Sequence, residues 1–564
     1  MNKPQHTYSP VSTWRIVTLF WKSKKKNYAY LNLIVLIAIT TVIVGLNIGV
    51  TYWFKYFWNA VQQYDQASVI KLIGIFLVLA TVFVLISVYK FYIQSNFAVR
   101  WREWLTQYVI DRWLNCKSYY FIENFDEYTD NPDQRIQEDV EQFTSLTTTL
   151  FLGLIDAVVT FFAFISLLWV LSGSLHLDLG SLGVWDIDGY LVWIALAYSI
   201  IGTFFSHKIG KRLVPLNYEK QHAEADFRYS AVHIRNYAEC IAMYRAQADE
   251  KHGIIRFFEK AILINLKLIN REKKLLFFTG GFQQISIIIP LIASLPMYFA
   301  KKIGIGGIQQ VMAAFGQVES SLSYVVSSYS NIAQWRACAL RLMTFMEKLD
   351  KVSHMYLDIQ AKHRFCSGKD IVAEEITLKT QSGTILLDNF NATFELGKNY
   401  LLTGPSGSGK STFIKTLAGI WPFFSGNLSF PNDKKMMYLP QESYFPLGTL
   451  RENLCYPDNH QYSDAELEQL LINIGLPKYA NKLNEVRNWH ELLSGGEQQK
   501  VAFVRVILTK PDWVFLDEST SSMDIDSERK VYSLLKDKLP NCSVVSIAHR
   551  ESLKVFHDAE ISLV

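Results

Sequence analysis

Glycines, a lysine and two hydroxyl side chains occur at fixed spacing near residue 404. Residues 404–412 read GPSGSGKST and fit the pattern GxxxxGK[ST], in which glycines let backbone N–H groups wrap around phosphate oxygens. The nine residues are Gly404, Pro405, Ser406, Gly407, Ser408, Gly409, Lys410, Ser411 and Thr412. In such a loop the ammonium of Lys410 reaches the β- and γ-phosphates of a nucleotide, and the hydroxyl of Ser411 ligates Mg²⁺. The sequence therefore predicts a phosphate-binding loop, which many ATPase and GTPase classes share.

Two adjacent acids, Asp517 and Glu518, follow the apolar stretch WVFL at residues 513–516. A short apolar run predicts a buried strand, and its end would present both acids to a ligand. Asp517 is then placed to hold Mg²⁺ through the coordination shell of the ion, and Glu518 is placed to polarise the attacking water. Two acids alone are weak evidence, but with a phosphate-binding loop in the same domain they predict hydrolysis of ATP.

The phosphate-binding loop needs a strand before it and a helix after it, and the sequence provides both. Tyr400–Thr403 is a short apolar stretch that leads into the loop, and residues 413–420 continue as a helix. Apolar and polar residues alternate over residues 371–387, which predicts strands. The polar residues 347–370 are predicted to be a linker before this α/β domain.

A second group of motifs resembles those of ABC ATPases. Residues 493–499 read LSGGEQQ and resemble the ABC signature, with Glu497 where glutamine is commoner. The resemblance implies that Ser494, Gly495 and Gly496 face the phosphate-binding loop of another subunit. One ATPase domain then cannot close a site by itself, so a homodimer is the economical arrangement. Residues 520–524 resemble the D-loop.

Two further residues resemble contacts of the same ATPases with the nucleotide. Gln441 follows a predicted strand and resembles the Q-loop residue, which implies a Mg²⁺ ligand and a relay to the membrane domain. His549 resembles the switch histidine that contacts the γ-phosphate. One family element is missing, because residues 376–389 contain no Tyr, Phe or Trp to stack on adenine. The absence of this aromatic residue predicts a loose preference for the base. The resemblance covers residues 371–564 and implies ATP with Mg²⁺.

The first 335 residues carry an excess of apolar side chains. The whole chain of 564 residues is 50% hydrophobic and 19% charged, whereas soluble proteins carry about 25% charged residues. A spanning helix needs about 20 apolar residues. The predicted spans are residues 28–52, 70–92, 147–171, 190–205 and 275–299, with a weaker sixth at 308–330. The net charge of +4 is too small to indicate a nucleic-acid partner.

Loop charges predict the orientation of these spans. Lys22, Lys24, Lys25 and Lys26 precede the first span, whereas residues 172–189 contain three Asp and no Lys or Arg. The positive-inside rule then places the N-terminus and the ATPase half in the cytoplasm, where the six cysteines stay reduced.

Three cytoplasmic features accompany this orientation. Residues 11–21 are predicted to be an interfacial amphipathic segment rather than a cleavable signal peptide. Residues 94–146 and 207–274 are predicted to be extensions of the membrane helices, with a short coupling helix near Asn131.

The sixth predicted span has a polar face. Its small residues recur at a spacing of three and four and therefore share one side of a helix; they are Ala313, Gly316, Ser320, Ser323, Ser327 and Ser330. Gln310, Gln317 and Glu319 add polarity, as do Gln283 and Gln284 in the fifth span. Close helix packing explains such a face, and so does a wet pathway for a hydrophilic cargo with Glu319 on its wall.

The membrane half also resembles one branch of ABC transporters. The similar stretches are residues 131–139, 226–230, 244–245, 314–318, 335–337 and 445–451, together with Trp489. This branch contains the SbmA/BacA-like transporters and subfamily D. Its bacterial fused members resemble uptake systems for vitamin B12, bleomycin and antimicrobial peptides, which implies a bacterial inner membrane.

The combined prediction is a six-span α-helical membrane domain with an exporter-like ABC fold, residues 1–345, followed by an α/β nucleotide-binding domain, residues 346–564. The predicted function is ATP-driven transport of a hydrophilic or amphipathic solute, a small molecule or a peptide, with uptake favoured. Efflux of a lipid or drug is the alternative within the same class. An ATP-gated membrane protein that does not pump is the third hypothesis, although Glu518, Ser494 and His549 argue against it.

Overall fold

The computed structural model describes residues 13–125, 131–178, 184–458, 460, 462–548 and 550–563. The chain forms two compact units. The first contains residues 1–110 and 131–347, and the second contains residues 111–130 and 348–564. Each unit has its own core, and each is described by itself below.

Helices dominate the first unit and the segments that leave it. Their bounds are α1 (Thr13–Lys22), α2 (Lys26–Gln62), α3 (Gln66–Leu114), α4 (Ser118–Phe125), α5 (Pro132–Gln134), α6 (Val140–Ser172), α7 (Tyr190–Gly210), α8 (Leu213–Asn236), α9 (Ala238–Tyr244), α10 (Gln247–Phe299), α11 (Ile305–Ser327) and α12 (Tyr329–Lys362). An antiparallel hairpin of β1 (Ser174–Asp178) and β2 (Val184–Asp188) connects α6 to α7.

Five helical segments among the described residues are long and apolar enough to cross a membrane. They are Lys26–Gln62, Gln66–Phe125, Pro132–Ser172, Tyr190–Asn236 and Gln247–Phe299. The predicted sixth span coincides with α11, which has 23 residues and hence the length of about 30 Å that a bilayer core requires. Its glutamines, serines and Glu319 lower its hydropathy, so its role as a span stays a prediction.

The first unit is organised around α11, which packs against α2, α6, α7 and α10. Phe315 and Val318 are fully buried in this core beside Phe164 of α6 and Ala195 of α7. The predicted amphipathic segment forms α1 from Thr13 onward, and residues 11 and 12 lie outside the described residues. Phe20 of α1 is fully buried and stacks on Trp101 of α3, with ring centroids 5.4 Å apart.

A ladder of polar contacts joins α6 and its N-terminal turn to α12. Asp139, of which 1% of the side chain is exposed, accepts hydrogen bonds from Arg341 and also pairs with Arg135. Farther along the same two helices, Trp335 donates from Nε1 to Thr147 Oγ1 over 2.7 Å. Buried charges of opposite sign compensate each other's desolvation, so this ladder holds α6 and α12 together.

The second unit is an α/β fold with two main sheets. Its strands are β3 (His363–Cys366), β4 (Ile371–Lys379), β5 (Ile385–Phe394), β6 (Tyr400–Thr403), β7 (Phe424–Pro431), β8 (Met436–Leu439), β9 (Gly448–Thr449), β10 (Val486–Arg487), β11 (Trp513–Asp517), β12 (Ser543–Ile547) and β13 (Ala559–Ser562). Its helices are α13 (Lys410–Leu417), α14 (Leu450–Cys455), α15 (Asp464–Asn473), α16 (Trp489–Leu492), α17 (Gly495–Thr509) and α18 (Ile525–Lys538). The five-stranded sheet has the order β13-β6-β12-β11-β8, and the four-stranded sheet has the order β3-β7-β4-β5.

The linker predicted at residues 347–370 is wrong for most of its length. α12 continues to Lys362, and β3 follows immediately. Leu349, Val352 and Ile359 are buried at helical spacing on this part of α12. Polar composition alone does not separate an exposed helix face from a linker, whereas the apolar residues at intervals of three and seven indicate a helix.

Candidate active site

The candidate active site lies at one edge of the five-stranded sheet. All four strand pairs in this sheet are parallel, so the carboxyl ends of neighbouring strands meet at the same edge. The phosphate-binding loop follows β6, Asp517 ends β11, and Gln441 comes two residues after β8. β12 leads toward His549, which lies outside the described residues.

The phosphate-binding loop closes tightly around its own backbone. Gly404 has a φ of +147°, and a Cβ at this position would lie 2.5 Å from the carbonyl oxygen of Leu563, so a larger residue cannot occupy it. Lys410 is buried, and its Nζ donates to the carbonyls of Gly404 and Pro405 over 2.9 Å each. Ser408 has a buried hydroxyl without a partner among the described residues, which fits a loop that takes a phosphate as its further acceptor.

The remaining residues of the predicted loop lie in the same turn before α13. Pro405, Ser406 and Gly407 are exposed, and Gly409 lies against β5, where an added Cβ would be 3.1 Å from Leu386. Thr412 lies in the first turn of α13. The positive end of this helix lies next to the loop, which favours an anion there.

Ser411 and Asp517 are adjacent across the loop and β11. The Ser411 hydroxyl donates to Asp517 Oδ1 over 2.8 Å. Burial raises the pKa of Asp517 above its ordinary value, and the charge of Glu518 raises it further, while the bond from Ser411 acts in the opposite direction. Two oxygen ligands therefore lie within reach of one cation, as Mg²⁺ with nucleotide phosphates requires.

Glu518 occupies a strained backbone position beside this pair. Its φ is +48°, an uncommon conformation for a residue with a Cβ and one that concentrates at functional sites. Its N–H donates to the Ile547 carbonyl over 3.1 Å, which ties it to β12. Gln441 donates from Nε2 to Glu518 Oε2 over 3.3 Å. The structure thus brings Ser411, Asp517, Glu518 and Gln441 together at one edge of the sheet.

The signature residues lie at the start of α17. Ser494 and Gly495 are exposed, and Gly496 is close enough to the D-loop that an added Cβ would lie 2.9 Å from the Ser522 carbonyl. Glu497 accepts the Ser494 N–H over 2.9 Å and pairs with Lys478 Nζ over 2.6 Å. Burial acts to raise the pKa of Glu497, but these bonds outweigh it and lower the pKa below its ordinary value. The contact of Ser494 with another subunit stays a prediction.

Sequence reasoning missed an ion pair in the first unit. Lys90 Nζ of α3 lies 3.9 Å from Asp156 Oδ1 of α6, and both residues fall inside predicted spans. The signal was present, because an ionisable residue within an apolar span usually has a partner or a function. Of the glutamines predicted to add polarity to the pathway, Gln310 is fully buried, whereas Gln283 and Gln284 are exposed.

Family comparisons match both units of the chain. Residues 16–299 match the family model described as ABC transporter transmembrane region 2, and residues 387–521 match the family model described as ABC transporter. The chain is 33% identical to the inner membrane ABC transporter ATP-binding protein YddA of Escherichia coli strain K12, over 94% of this chain and 93% of that protein. It is 28% identical to the chloroplastic ABC transporter D family member 2 of Arabidopsis thaliana, over 97% and 85%.

A human relative and a solved structure are similar to the chain at lower sequence identity. The chain is 24% identical to the human ATP-binding cassette sub-family D member 3, over 80% of this chain and 72% of that protein. A solved structure of a bacterial Atm1-family ABC exporter with ATP bound superimposes with a TM-score of 0.78 and 15% identity, over 94% and 93% of the two chains. At this identity the likeness concerns the fold alone.

Proposed function

The chain belongs to the ABC transporter family, as an integral membrane protein with fused membrane and ATPase domains related to subfamily D, and we propose that it couples ATP hydrolysis to uptake of a hydrophilic or amphipathic solute. The observation that supports ATP hydrolysis is the convergence of Ser411, Asp517, Glu518 and Gln441 at one sheet edge. Residues 1–345 would form the membrane domain and residues 346–564 the nucleotide-binding domain. YddA is described as an inner membrane protein, which supports the same location here.

The proposed chemistry is hydrolysis of the terminal phosphoanhydride bond of ATP. The loop and Lys410 would hold the phosphates, and Ser411, Asp517 and Gln441 would hold Mg²⁺, which when bound would neutralise charge on the phosphate oxygens. Glu518 accepts a proton from the attacking water, and His549 contacts the γ-phosphate. An acceptor-only carboxylate is required at residue 518, because an amide orients water without taking its proton.

The cargo proposal is supported by the open face of α11. Gly316, Ser320 and Ser327 are exposed, and nothing lies within 4 Å of a Cβ added to Gly316. The described residues of the same chain therefore do not cover this face of α11. Glu319 is half-buried on the same helix and accepts a hydrogen bond from Ser323 over 3.1 Å. A polar face with one carboxylate suits a solute with polar groups, such as a cobalamin-like or peptide-like molecule.

A homodimer is proposed to complete the transporter. The part of α10 that precedes the fifth predicted span carries a row of apolar side chains that the described part of the same chain leaves exposed, including Ile262, Leu263, Leu266 and Ile269. Exposed apolar surface of this extent marks an interaction site. A second copy also supplies Ser494 opposite the phosphate-binding loop, as the signature motif implies.

Flux in proteoliposomes tests the direction and the cargo class. Vesicles with outward-facing ATPase domains are loaded with labelled cobalamin or a proline-rich antimicrobial peptide, and Mg-ATP is added outside. The lumen then corresponds to the cell exterior. We expect ATP-dependent release that is absent in Glu518→Gln. Accumulation from the bath would instead indicate an exporter, and ATP hydrolysis without movement of either probe would contradict this cargo class.

A further inference from the structure

We propose that Lys117 is a positioning residue for nucleotide binding, because its ammonium completes the C-terminal end of the helix whose N-terminal end forms the phosphate site. Lys117 Nζ donates to the carbonyl of Ala418 over 2.8 Å. Ala418 is the C-terminal cap of α13, and Lys410 begins the same helix at the phosphate-binding loop. The inference rests on the proposed binding of ATP at that loop.

The backbone acceptors at the end of α13 are otherwise paired. Ala418 N–H donates to Ile414, and Gly419 N–H donates to Thr416. Ile420 N–H donates to Lys415, and the hydroxyl of Tyr438 donates to Leu417 over 3.0 Å. Gly419 has a φ of +66°, as the left-handed turn that ends such helices requires. The four carbonyls from Ile414 to Leu417 thus have other donors, and the Ala418 carbonyl that follows them is bound by Lys117, which lies between α3 and α4.

A strained turn places Lys117 over this carbonyl. Cys116 and Lys117 have φ values of +54° and +52°, so two successive residues with side chains adopt the left-handed conformation. Such a conformation is strained for a residue with a Cβ and persists where surrounding contacts impose it. The turn ends α3 at Leu114 and starts α4 at Ser118, and it brings the ammonium within 5.9 Å of the Tyr356 ring centroid.

The rest of α4 is fixed to the same part of the second unit. The Phe125 ring lies edge-on to Trp421 and Phe423, at 5.5 Å from each ring centroid. Trp421 and Phe423 come directly after the end of α13 in the sequence. The lysine before α4 and the ring at its end therefore both contact residues that lie at or just after the C-terminal end of α13.

The electrostatic consequence follows from the length of α13. Eight residues span about 12 Å, and a cation at the C-terminal end of a helix stabilises its macrodipole. The opposite end of that dipole favours negative charge at the phosphate-binding loop. Because α3 runs without interruption from the first unit to Leu114, a movement of α3 that withdraws Lys117 should weaken phosphate binding.

Lys362 provides a matched control. It is also half-buried, and its Nζ also donates to a carbonyl, over 2.6 Å. Its acceptor is Phe424 on β7 rather than the end of α13. Burial lowers the pKa of both lysines. Removal of either ammonium thus costs a comparable buried contact, but only Lys117 acts on the helix that holds the phosphates.

The test measures binding of fluorescent mant-ATP and mant-ADP to the full-length protein in the Glu518→Gln background, which does not consume the nucleotide. Lys117→Met should raise the Kd for mant-ATP about fivefold and that for mant-ADP less, because the effect grows with phosphate charge. Lys117→Arg should restore the parental value, and Lys362→Met should leave the ratio of the two Kd values unchanged.

Three outcomes would overturn the inference. Equal affinities of Lys117→Met and its parent would show that the ammonium has no effect on the phosphate site. An equal loss for both nucleotides, or the same loss in Lys362→Met, would indicate a structural role only. If Lys117→Met does not fold, Lys117→Gln is measured in the same way. A parent protein that binds neither nucleotide would contradict the proposed function itself.

Discussion

His363 makes the stability of the second unit depend on pH. Burial lowers the pKa of this imidazole from 6.5 to about 4, and the charges of Lys117 and Lys362 act in the same direction, while the hydrogen bond with the Thr416 backbone opposes them. The folded protein therefore keeps His363 neutral where the unfolded chain protonates it. The free energy of unfolding should be highest above pH 6.5 and should fall by about 3 kcal/mol as the pH drops to 4.

Thermal unfolding of the purified protein between pH 4 and pH 7.5, followed by tryptophan fluorescence, checks this dependence. His363→Phe removes the titrating group from an apolar position and should flatten the pH profile over this range. His460→Gln is the matched control, since 79% of the His460 side chain is exposed. An identical acid-induced loss in His363→Phe and in the wild type would assign the effect to other groups.

At the residue scale, the sequence carries a signal for the centre of the candidate site but not for its surroundings. Ser411, Asp517 and Gln441 could be placed because each follows a short apolar strand, and parallel strands align their carboxyl ends. The left-handed backbone of Cys116 and Lys117 had no such signal. Neither residue is a glycine, and only contacts with α13 and Tyr356, distant in sequence, impose that conformation.

At the element scale, the start of α11 depends on close contact with α2. The N–H of Gly306 donates to Asn59 Oδ1 over 3.0 Å, and the N–H of Ile305 donates to Gln62 Oε1 over 3.1 Å. A Cβ at Gly306 would lie 2.0 Å from the Lys55 carbonyl oxygen, which is a backbone atom. Gly306→Ala should therefore push α11 away from α2 and cost about 1–3 kcal/mol.

Gly316 offers a control within the same helix. A Cβ at Gly316 would meet nothing within 4 Å, so Gly316→Ala should leave the melting temperature in detergent equal or slightly higher, as alanine favours helices. Gly306→Ala should melt at a clearly lower temperature in the same assay. Equal melting temperatures for the two variants would refute the claim that α11 needs this close approach.

The sequence predicted which segments form long helices but not where each helix ends. The apolar runs indicated the spans because about 20 apolar residues have few other uses in a soluble fold. The continuation of α12 through residues 347–362 was predicted as a linker, since its buried face has only a few apolar residues among many charges. The assignment of residues 111–125 to the second unit depends on contacts distant in sequence, such as that between Phe125 and Trp421.

At the scale of the whole molecule, the proposed dimer divides each ATP site between two copies. Lys410 is buried within its own loop, whereas Ser494 is exposed at the start of α17. If each site combines Lys410 of one subunit with Ser494 of the other, a subunit that lacks either residue damages one site only. The two sites of a heterodimer can then be inactivated together or separately.

Heterodimers with two different affinity tags test this division of the site. When one subunit carries Lys410→Ala and the other carries Ser494→Arg, both changes fall in the same site, and the second site keeps a native loop and a native signature. When one subunit carries both changes and its partner carries none, each site is damaged once. We therefore expect ATPase activity in the first heterodimer, at up to about half the wild-type rate if the sites act independently, and almost none in the second. The reverse order would show that the loop and the signature of one subunit act together, and the exposed position of Ser494 would then need another explanation.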